Sequence, residues 1–332
     1  MKSTDDRERH VAIGLNAVIV TVHGETPYVL AVKREDSEGG HTATTTGLPF
    51  GPFEPELHRT LESGLRAWVE EQTSLDLGYV EKLYTFGDRG RQDMGAPEDW
   101  RIISVGYLAL TRGAQKLPVP DNVWSDWYRF FPWEDWRDAT PPILADHIIP
   151  AVRQWADTSG STQLKRERYD RLRVCFGFDG MAWDEEKVLE RYELLYEAGL
   201  VDEAARDRDL PTPPQWRLGE PMMSDHRRIL ATGMGRLRSK LKYRPVVFEL
   251  MPPTVSLSQL QRTVEAISGI RLHKQNFRRL VEKGGLVEGT GQRVQKTGGR
   301  PAEEFRFRRE VLRERPAPGF RVRTSGRRSP GG

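Results

Sequence analysis

Residues 256–307 constrain the fold most, because few small domains share their order of helix and strand signals. Ser256 with Gln259 three residues later forms a capping box, which predicts a helix start. Apolar residues follow at helical spacing as far as Gly269. A second short helix is predicted over 273–283, stopped by two glycines, and a strand, a basic loop and another strand follow. Helix, turn, helix and β-hairpin in this order predict a C-terminal winged helix-turn-helix.

The second of these helices has one apolar and one polar side. Phe277, Leu280 and Val281 fall on the apolar side and are expected to pack inward. Arginine pairs with guanine, and asparagine or glutamine with adenine, through two hydrogen bonds in a major groove. We therefore predict DNA contacts from Lys274, Gln275, Asn276, Arg278 and Arg279.

Two flanking segments carry further positive charge. The loop of the predicted hairpin suits phosphate or minor-groove contact, and a basic helix over 226–241 precedes the domain. These segments predict DNA-backbone contacts from Arg293, Lys296 and Arg300, and from Arg236, Arg238, Lys240, Lys242 and Arg244. The alternatives are an ordinary solvated basic surface and a winged helix that binds protein.

Charge is divided unevenly along the chain, although its formal net charge is only +3. Residues 221–332 hold 25 Lys and Arg against 9 Asp and Glu, a net +16, whereas residues 1–220 hold 26 against 39, a net −13. A strongly basic third attached to an acidic remainder favours a polyanionic partner. Combined with the winged helix pattern, it favours double-stranded DNA over an anionic membrane.

Other composition data exclude several classes of protein. Mean hydropathy is −0.62, and no run of about 18 apolar residues predicts a membrane span. The charged first nine residues do not resemble a secretory signal. A single cysteine, Cys175, permits neither an internal disulfide nor a cysteine-based zinc site. We therefore expect a cytoplasmic protein that makes no membrane contact.

The N-terminal part predicts an α+β fold. Residues 11–20 are nearly continuously apolar and β-branched, which indicates a buried strand, and 28–32 form a hairpin with it. Residues 59–72 have the spacing of an amphipathic helix, and two further strands are predicted over 80–86 and 102–110. Strands and helices alternate without a regular βαβ period, which favours α+β over α/β.

Linker-like segments divide the chain. Residues 158–161 and 210–214 are rich in Ser, Gly, Thr or Pro, and the stretch between them has a helical pattern over 164–200, with Asp184 as an N-cap and Gly199 as a stop. That stretch provides dimer contacts, transmits a ligand-induced shift to the C-terminal part, or only packs on the N-terminal body. The predicted domains are an N-terminal domain (10–155), a helical connector (156–222), the winged helix domain (223–312) and a basic disordered tail (313–332).

The sequence LPFG at 48–51, followed by the helix with RAWVEEQT at 66–73, resembles the Nudix box G-x5-E-x7-R-E-U-x-E-E-x-G-U, where U is aliphatic. In that family the glutamates hold a divalent metal and activate water against a pyrophosphate. Here Leu57 or His58 stands in place of the early Glu, Ala67 in place of the Glu after the Arg, and Thr73 in place of the Gly. We therefore predict no catalysis, no required cofactor and no metal site, with Glu70 and Glu71 as vestiges.

A binding pocket can persist after catalysis is lost. Lys33 and Arg34 end a predicted strand and could contact a phosphate, unless they are only a surface charge pair. Phe86 could stack on a base, although core packing is the commoner role of such a residue. The candidate effector-binding residues are Lys33, Arg34, Phe50, Gly51, Arg66, Glu70, Phe86 and Asp88.

The order of these parts resembles the Nudix-related transcriptional regulators of NAD metabolism. The resemblance covers about 10–150, including YTFGD and RIISVGYLAL, and 224–308, including KQNFRRLVEKGGLVE and GGRPAEEFRF. Residues 155–222 depart from the usual short connection. This added segment and the altered box resemble the alphaproteobacterial NAD-biosynthesis repressor branch.

The resemblance implies a Nudix-like α/β/α sandwich and a homodimeric repressor that binds operator DNA at NAD synthesis or salvage genes. It also implies an adenine-nucleotide effector: ADP-ribose, NAD or ATP. The first alternative is a Nudix-type pyrophosphohydrolase with a nucleic-acid-binding appendage. The second is an RNA-binding or scaffold protein with a basic tail.

Overall fold

A mixed β-sheet organises the N-terminal part of the computed structural model, which describes residues 10–38, 41–87, 100–113, 122–209, 211, 216–294, 302–314 and 319. Its strands are β1 (Val11–His23), β2 (Thr26–Glu38), β3 (His41–Gly47), β4 (Phe50–Pro52), β5 (Tyr79–Phe86), β6 (Arg101–Leu110) and β7 (Asn122–Asp126). The order is β3-β2-β1-β6-β5, with β4 paired to β1 and β7 to β2. The strands predicted over 11–20, 28–32, 80–86 and 102–110 are confirmed.

The centre of this sheet is the parallel pair of β1 and β6. The register runs from Val11 opposite Arg101 to Val20 opposite Leu110, while β2 pairs antiparallel on the other side of β1. A central strand of this kind is buried on both faces. This explains why the β1 sequence is a continuous apolar run rather than an alternating one.

Helices cover both faces of the sheet. Helix α1 (Leu61–Thr73) begins at a capping box formed by Thr60 and Ser63, and its residues Leu65 and Trp68 pack on one face. The opposite face is covered by a helix from much later in the chain, α6 (His226–Tyr243). Gly233 of α6 lies so close to the sheet that an added Cβ would meet the Val18 side chain at 2.9 Å. The predicted α/β/α sandwich is therefore present.

An aromatic segment joins the sheet to the helices that follow it. Short 3-10 helices at Trp127–Arg129 and Pro132–Glu134 bury four large rings completely: Trp127, Phe130, Phe131 and Trp133. A helix then contains one π turn (Leu144–Ile148) and continues as α2 (Ile149–Asp157). The segment thereby forms the core shared by the sheet, the connector and α6.

The connector consists of α3 (Thr162–Phe176), α4 (Val188–Glu197) and α5 (Asp202–Arg208). The helical character predicted over 164–200 is confirmed, as two helices, and the second begins at Val188, four residues after the predicted N-cap Asp184. Gly177 adopts a left-handed conformation (φ +69°) and ends α3, and a Cβ there would lie 2.8 Å from the Met181 carbonyl oxygen. Helix α4 lies against α6, so the connector packs on the body, while the other roles considered for it stay predictions.

The C-terminal part has the predicted winged helix layout. After a 3-10 helix (Val246–Leu250) come β8 (Thr254–Val255), α7 (Leu257–Ser268), α8 (Lys274–Gly284), β9 (Val287–Val294), β10 (Ala302–Phe307) and α9 (Val311–Glu314). The capping box of Ser256 and Gln259 is confirmed, and α7 and α8 end at left-handed Gly269 and Gly285. The domain limits given above stay predictions. Among the described residues, no helix is long and apolar enough to cross a membrane.

Candidate nucleic-acid interface and nucleotide site

The outer face of α8 is the most exposed basic surface on a described helix of the C-terminal part. Phe277 and Val281 are buried and fix the helix on the domain core. The five residues of α8 that are predicted to contact DNA are all exposed: Lys274, Gln275, Asn276, Arg278 and Arg279. The fold thus presents their donors and acceptors together, in the arrangement that a major groove can accept.

The wing extends the same basic surface. Strands β9 and β10 pair with Arg293 opposite Glu303, next to the turn of the hairpin, and Arg293 is exposed. Lys296 and Arg300 lie outside the described residues. Exposed basic groups on both a recognition helix and a wing can together follow a DNA backbone.

The predicted nucleotide site lies at the turn between β3 and β4, which leads into Phe50. Strand β4 places Phe50 and Gly51 opposite Asn16 and Leu15 of β1. The Arg34 guanidinium lies over the Phe50 ring, 4.4 Å from its centre. Lys33 is exposed opposite Thr46 of β3, but β2 continues beyond it to Glu38, so the prediction that Lys33 and Arg34 end the strand is wrong. Because neighbouring strand residues point to opposite faces, only Arg34 is shown against the Phe50 ring.

Little space is left beside Gly51. A Cβ there would meet the Trp68 indole of α1 at 3.0 Å, so the turn lies directly on the helix. Arg66 of the same helix pairs with Glu62 at 3.0 Å and donates hydrogen bonds to the carbonyls of Leu77 and Gly78. Arg66 therefore has a structural role in holding the loop after α1.

Two other predicted site residues lie elsewhere. The Phe86 ring is 7% exposed and packs against Gly106 and the edge of Tyr84, so the prediction that it stacks on a base is wrong in this structure because it is a core residue. Asp88 lies outside the described residues. Glu70 and Glu71 are exposed on α1 beside exposed Ala67. Within the described ranges, no group of three or more His, Cys, Asp or Glu is placed to hold a metal ion.

Residues 247–307 match the family described as the NrtR DNA-binding winged helix domain. This region of the chain is therefore similar to NrtR-type winged helix domains. The chain is 40% identical over 83 residues to the ADPR responsive transcriptional repressor NtrR of Acinetobacter baylyi. That alignment covers 25% of this chain and only 33% of the relative.

Two solved structures have a similar fold over about nine-tenths of the chain. NrtR of Shewanella oneidensis complexed with a 27mer DNA matches with a TM-score of 0.52 at 20% identity, over 91% of this chain and 95% of that one. A MutT/nudix family protein from Enterococcus faecalis matches with a TM-score of 0.50 at 11% identity, over 92% and 90% of the two chains. The Nudix-like sandwich and the NrtR-type domain therefore occur together in known folds.

The basic groups of α6 behave differently from those of the NrtR-type domain. Arg238 is 1% exposed, so its predicted contact with the DNA backbone is wrong: its charge is already neutralised inside the protein by Glu134. Arg236 and Lys240 pair with Glu81 at 3.0 and 2.9 Å. Lys242 pairs with Glu185 and Glu186, and Arg244 is exposed. The DNA contacts of the last four residues stay predictions.

Glu134 is the centre of a buried ionic cluster that joins three regions. Its carboxylate accepts from Arg191 of α4 at 2.6 and 2.9 Å and from Arg238 of α6 at 2.7 Å. Burial alone would raise the pKa of Glu134, but the two guanidinium groups outweigh it and hold the pKa below its usual range. Sequence reasoning missed this residue; the available signal was an acidic side chain within a run of large aromatic residues.

His226 was also missed by sequence reasoning. Its Nδ1 accepts a hydrogen bond from the Leu48 backbone N–H at 3.0 Å. Nε2 lies 3.0 Å from Nδ2 of Asn16, and the ring meets Phe50 edge-on with ring centres 5.6 Å apart. The first turn of α6 is thereby attached to the turn of the predicted nucleotide site.

Proposed function

We propose that this protein is a DNA-binding transcriptional repressor of NAD biosynthesis or salvage genes, controlled by a nucleotide that binds the Nudix-like domain. The observation that carries the proposal is the exposed polar face of α8 on an NrtR-type winged helix domain. Arg278 and Arg279 would supply guanine contacts, and Gln275 and Asn276 adenine contacts.

ADP-ribose is the first effector to test, because the name of the Acinetobacter relative describes it as ADPR responsive. NAD and ATP are the next candidates. Lys33 and Arg34 would meet phosphate groups, and Phe50 would provide an aromatic contact at the same turn.

We further propose that the Nudix-like domain is not catalytic. A hard divalent cation needs several oxygen ligands, and Ala67 removes the carboxylate that follows Arg66 in the Nudix box. Glu70 and Glu71 alone leave the remaining ligands to water. Incubation of the unaltered protein with ADP-ribose and Mg²⁺ should release no AMP, and sustained AMP release would support the hydrolase alternative.

The repressor would act as a homodimer, because two winged helices related by a two-fold axis can bind the two halves of a palindromic operator. Analytical ultracentrifugation of the protein with and without operator tests this assembly. A monomer bound alone to a full operator would contradict it.

Fluorescence anisotropy tests the main proposal. Duplexes from promoters of NAD-synthesis genes in the protein's own genome are compared with scrambled duplexes at about physiological salt, with and without ADP-ribose, NAD or ATP. We expect a preference for one promoter of at least about 10³-fold. Equal and strongly salt-dependent binding to both kinds of duplex would overturn the assignment to NAD genes, because it indicates only general attraction to phosphate.

A further inference from the structure

Helix α6 touches the nucleotide site near one end and the winged helix domain near the other. His226, its first residue, accepts from the backbone N–H of Leu48 in the turn that leads to Phe50. Arg238 lies twelve residues later on the same helix, a distance of about 18 Å at the rise of an α-helix. One rigid element therefore connects two sites that are distant in the sequence.

The hydrogen bonds of Arg238 connect α6 to α7, to Glu134 and to the connector. Its Nε donates to the Ile267 carbonyl of α7 at 2.9 Å, and its Nη1 donates to Glu134 Oε2 at 2.7 Å and to the Glu185 carbonyl at 2.9 Å. Its Nη2 lies 3.2 Å from the Glu134 carbonyl. The planar guanidinium thus has acceptors on all three nitrogens, which a lysine ammonium with its different geometry cannot match.

The backbone carbonyls at the end of α7 also bond to the aromatic segment around Glu134. The Tyr128 hydroxyl donates to the Ala266 carbonyl at 2.8 Å, and the Trp136 backbone N–H donates to the Gly269 carbonyl at 2.7 Å. Gly269 has a φ of +72°, and a Cβ there would lie 2.4 Å from the Glu134 carbonyl oxygen. Because only residues 269–273 separate α7 from α8, the placement of this turn sets the placement of the recognition helix.

We propose that α6 couples nucleotide binding at the Phe50 turn to the position of α8, with Arg238 as the positioning residue. The coupling rests on the proposed function. A nucleotide that contacts Phe50 and Arg34 shifts the turn and the Leu48 N–H, and His226 transmits this displacement to α6. Arg238 then moves the last turn of α7, and with it α8. A ligand changes such an equilibrium only by the difference in its affinity for the two arrangements.

The chain supplies a matched control on the same helix. Arg227 is also completely buried, pairs with Glu203 at 3.2 Å and donates to the Phe130 carbonyl at 3.1 Å. Among the described residues, its partners all lie outside 247–307. Arg227→Lys therefore perturbs a buried guanidinium of α6 without touching α7 or α8.

The experiment compares the full-length wild type with Arg238→Lys and Arg227→Lys. Operator affinity is measured by anisotropy with and without saturating ADP-ribose, with NAD and ATP as parallel probes, and nucleotide affinity is measured by calorimetry. We expect at least about a 5-fold change in operator affinity for the wild type and for Arg227→Lys. For Arg238→Lys we expect a ratio close to one while nucleotide and operator each still bind.

His226→Gln tests the other end of α6, and thermal melts establish that every variant is folded. Gln at this position should also abolish the response, because it alters the bond to Leu48 without touching α7. A full response in both Arg238→Lys and His226→Gln would overturn the coupling while leaving the repressor proposal intact. Absence of specific operator binding by the wild type would instead reject the proposed function, and the coupling with it.

Discussion

Helices α6 and α8 are both basic, yet the structure uses their charges in opposite ways. On α6, Arg227 and Arg238 are buried against Glu203 and Glu134, and most of the remaining cations pair with surface carboxylates. On α8 the arginines face solvent, and none of them pairs with a carboxylate in the described part of the chain. The number of basic residues on a helix therefore does not determine what the helix binds. The helix can bind a polyanion only if carboxylates of the same protein do not already neutralise its basic side chains.

The acidic N-terminal body explains the difference. The −13 charge of residues 1–220 includes the carboxylates that receive α6, such as Glu81 and Glu134. The winged helix domain lies beyond most of these groups in the chain and keeps its positive charge at the surface. Helix α6 thus lies between the acidic body and the basic domain, and its cationic side chains form ion pairs with carboxylates of the body.

The largest expected effect comes from removing the acceptor of the buried arginines. Glu134→Ala should lower the free energy of unfolding by about 3–5 kcal/mol, because it leaves Arg191 and Arg238 charged and buried without their carboxylate. Urea denaturation followed by tryptophan fluorescence measures this change. Glu220→Ala breaks the exposed pair with Arg129 and should cost at most about 1 kcal/mol. Equal losses in the two variants would contradict the distinction between buried and exposed pairs.

The next effect concerns the exposed helix. Arg278→Ala should weaken operator binding by about 1–3 kcal/mol and reduce the preference over scrambled DNA, because a base contact is lost. Its effect on stability should stay within about 0.5 kcal/mol, since the side chain is exposed. Anisotropy on both duplexes provides the measurement. The same loss on operator and scrambled DNA would show that Arg278 contacts only phosphate.

A pH series sharpens the account of Glu134. Since its pKa in the folded protein is held below the usual 4.5, the carboxylate contributes stability above that value and loses it as the pH falls through the folded pKa. The difference in stability between wild type and Glu134→Gln should therefore be constant near neutral pH and decrease below 4.5. A difference that does not change with pH would mean that the charge of Glu134 is not what stabilises the cluster.

The smallest effect compares one paired lysine of α6 with one exposed arginine of the wing. Arg293→Ala should reduce the slope of log affinity against log salt by about 1, as expected for one lost phosphate contact. Lys240→Ala should leave the slope unchanged, because Glu81 holds its ammonium group at 2.9 Å. An equal reduction by Lys240→Ala would restore the sequence-based prediction that α6 contacts the DNA backbone.

The sequence was sufficient wherever the signal is local. The capping box at Ser256, the glycine stops after α7 and α8, and the apolar run of β1 all depend on neighbouring residues, and all are confirmed. The burial of Arg238 could not be predicted, because its partner Glu134 is 104 residues away. For Phe86, the sequence left both base stacking and core packing open. Its burial depends on α6, which covers that face of the sheet and comes from much later in the chain.

The position of α6 also determines where this chain can be divided. Its residues Ile229, Gly233 and Leu237 belong to the outer layer of the sandwich, although they lie closer in sequence to the winged helix domain. A fusion protein that takes its DNA-binding part from residue 223 onward would remove α6 from the sandwich and expose the face of the sheet that α6 covers. A junction after Tyr243, where α6 ends, would keep the sandwich complete, but the new module would also have to reproduce the bonds of Arg238 to Ile267 and of Trp136 to Gly269.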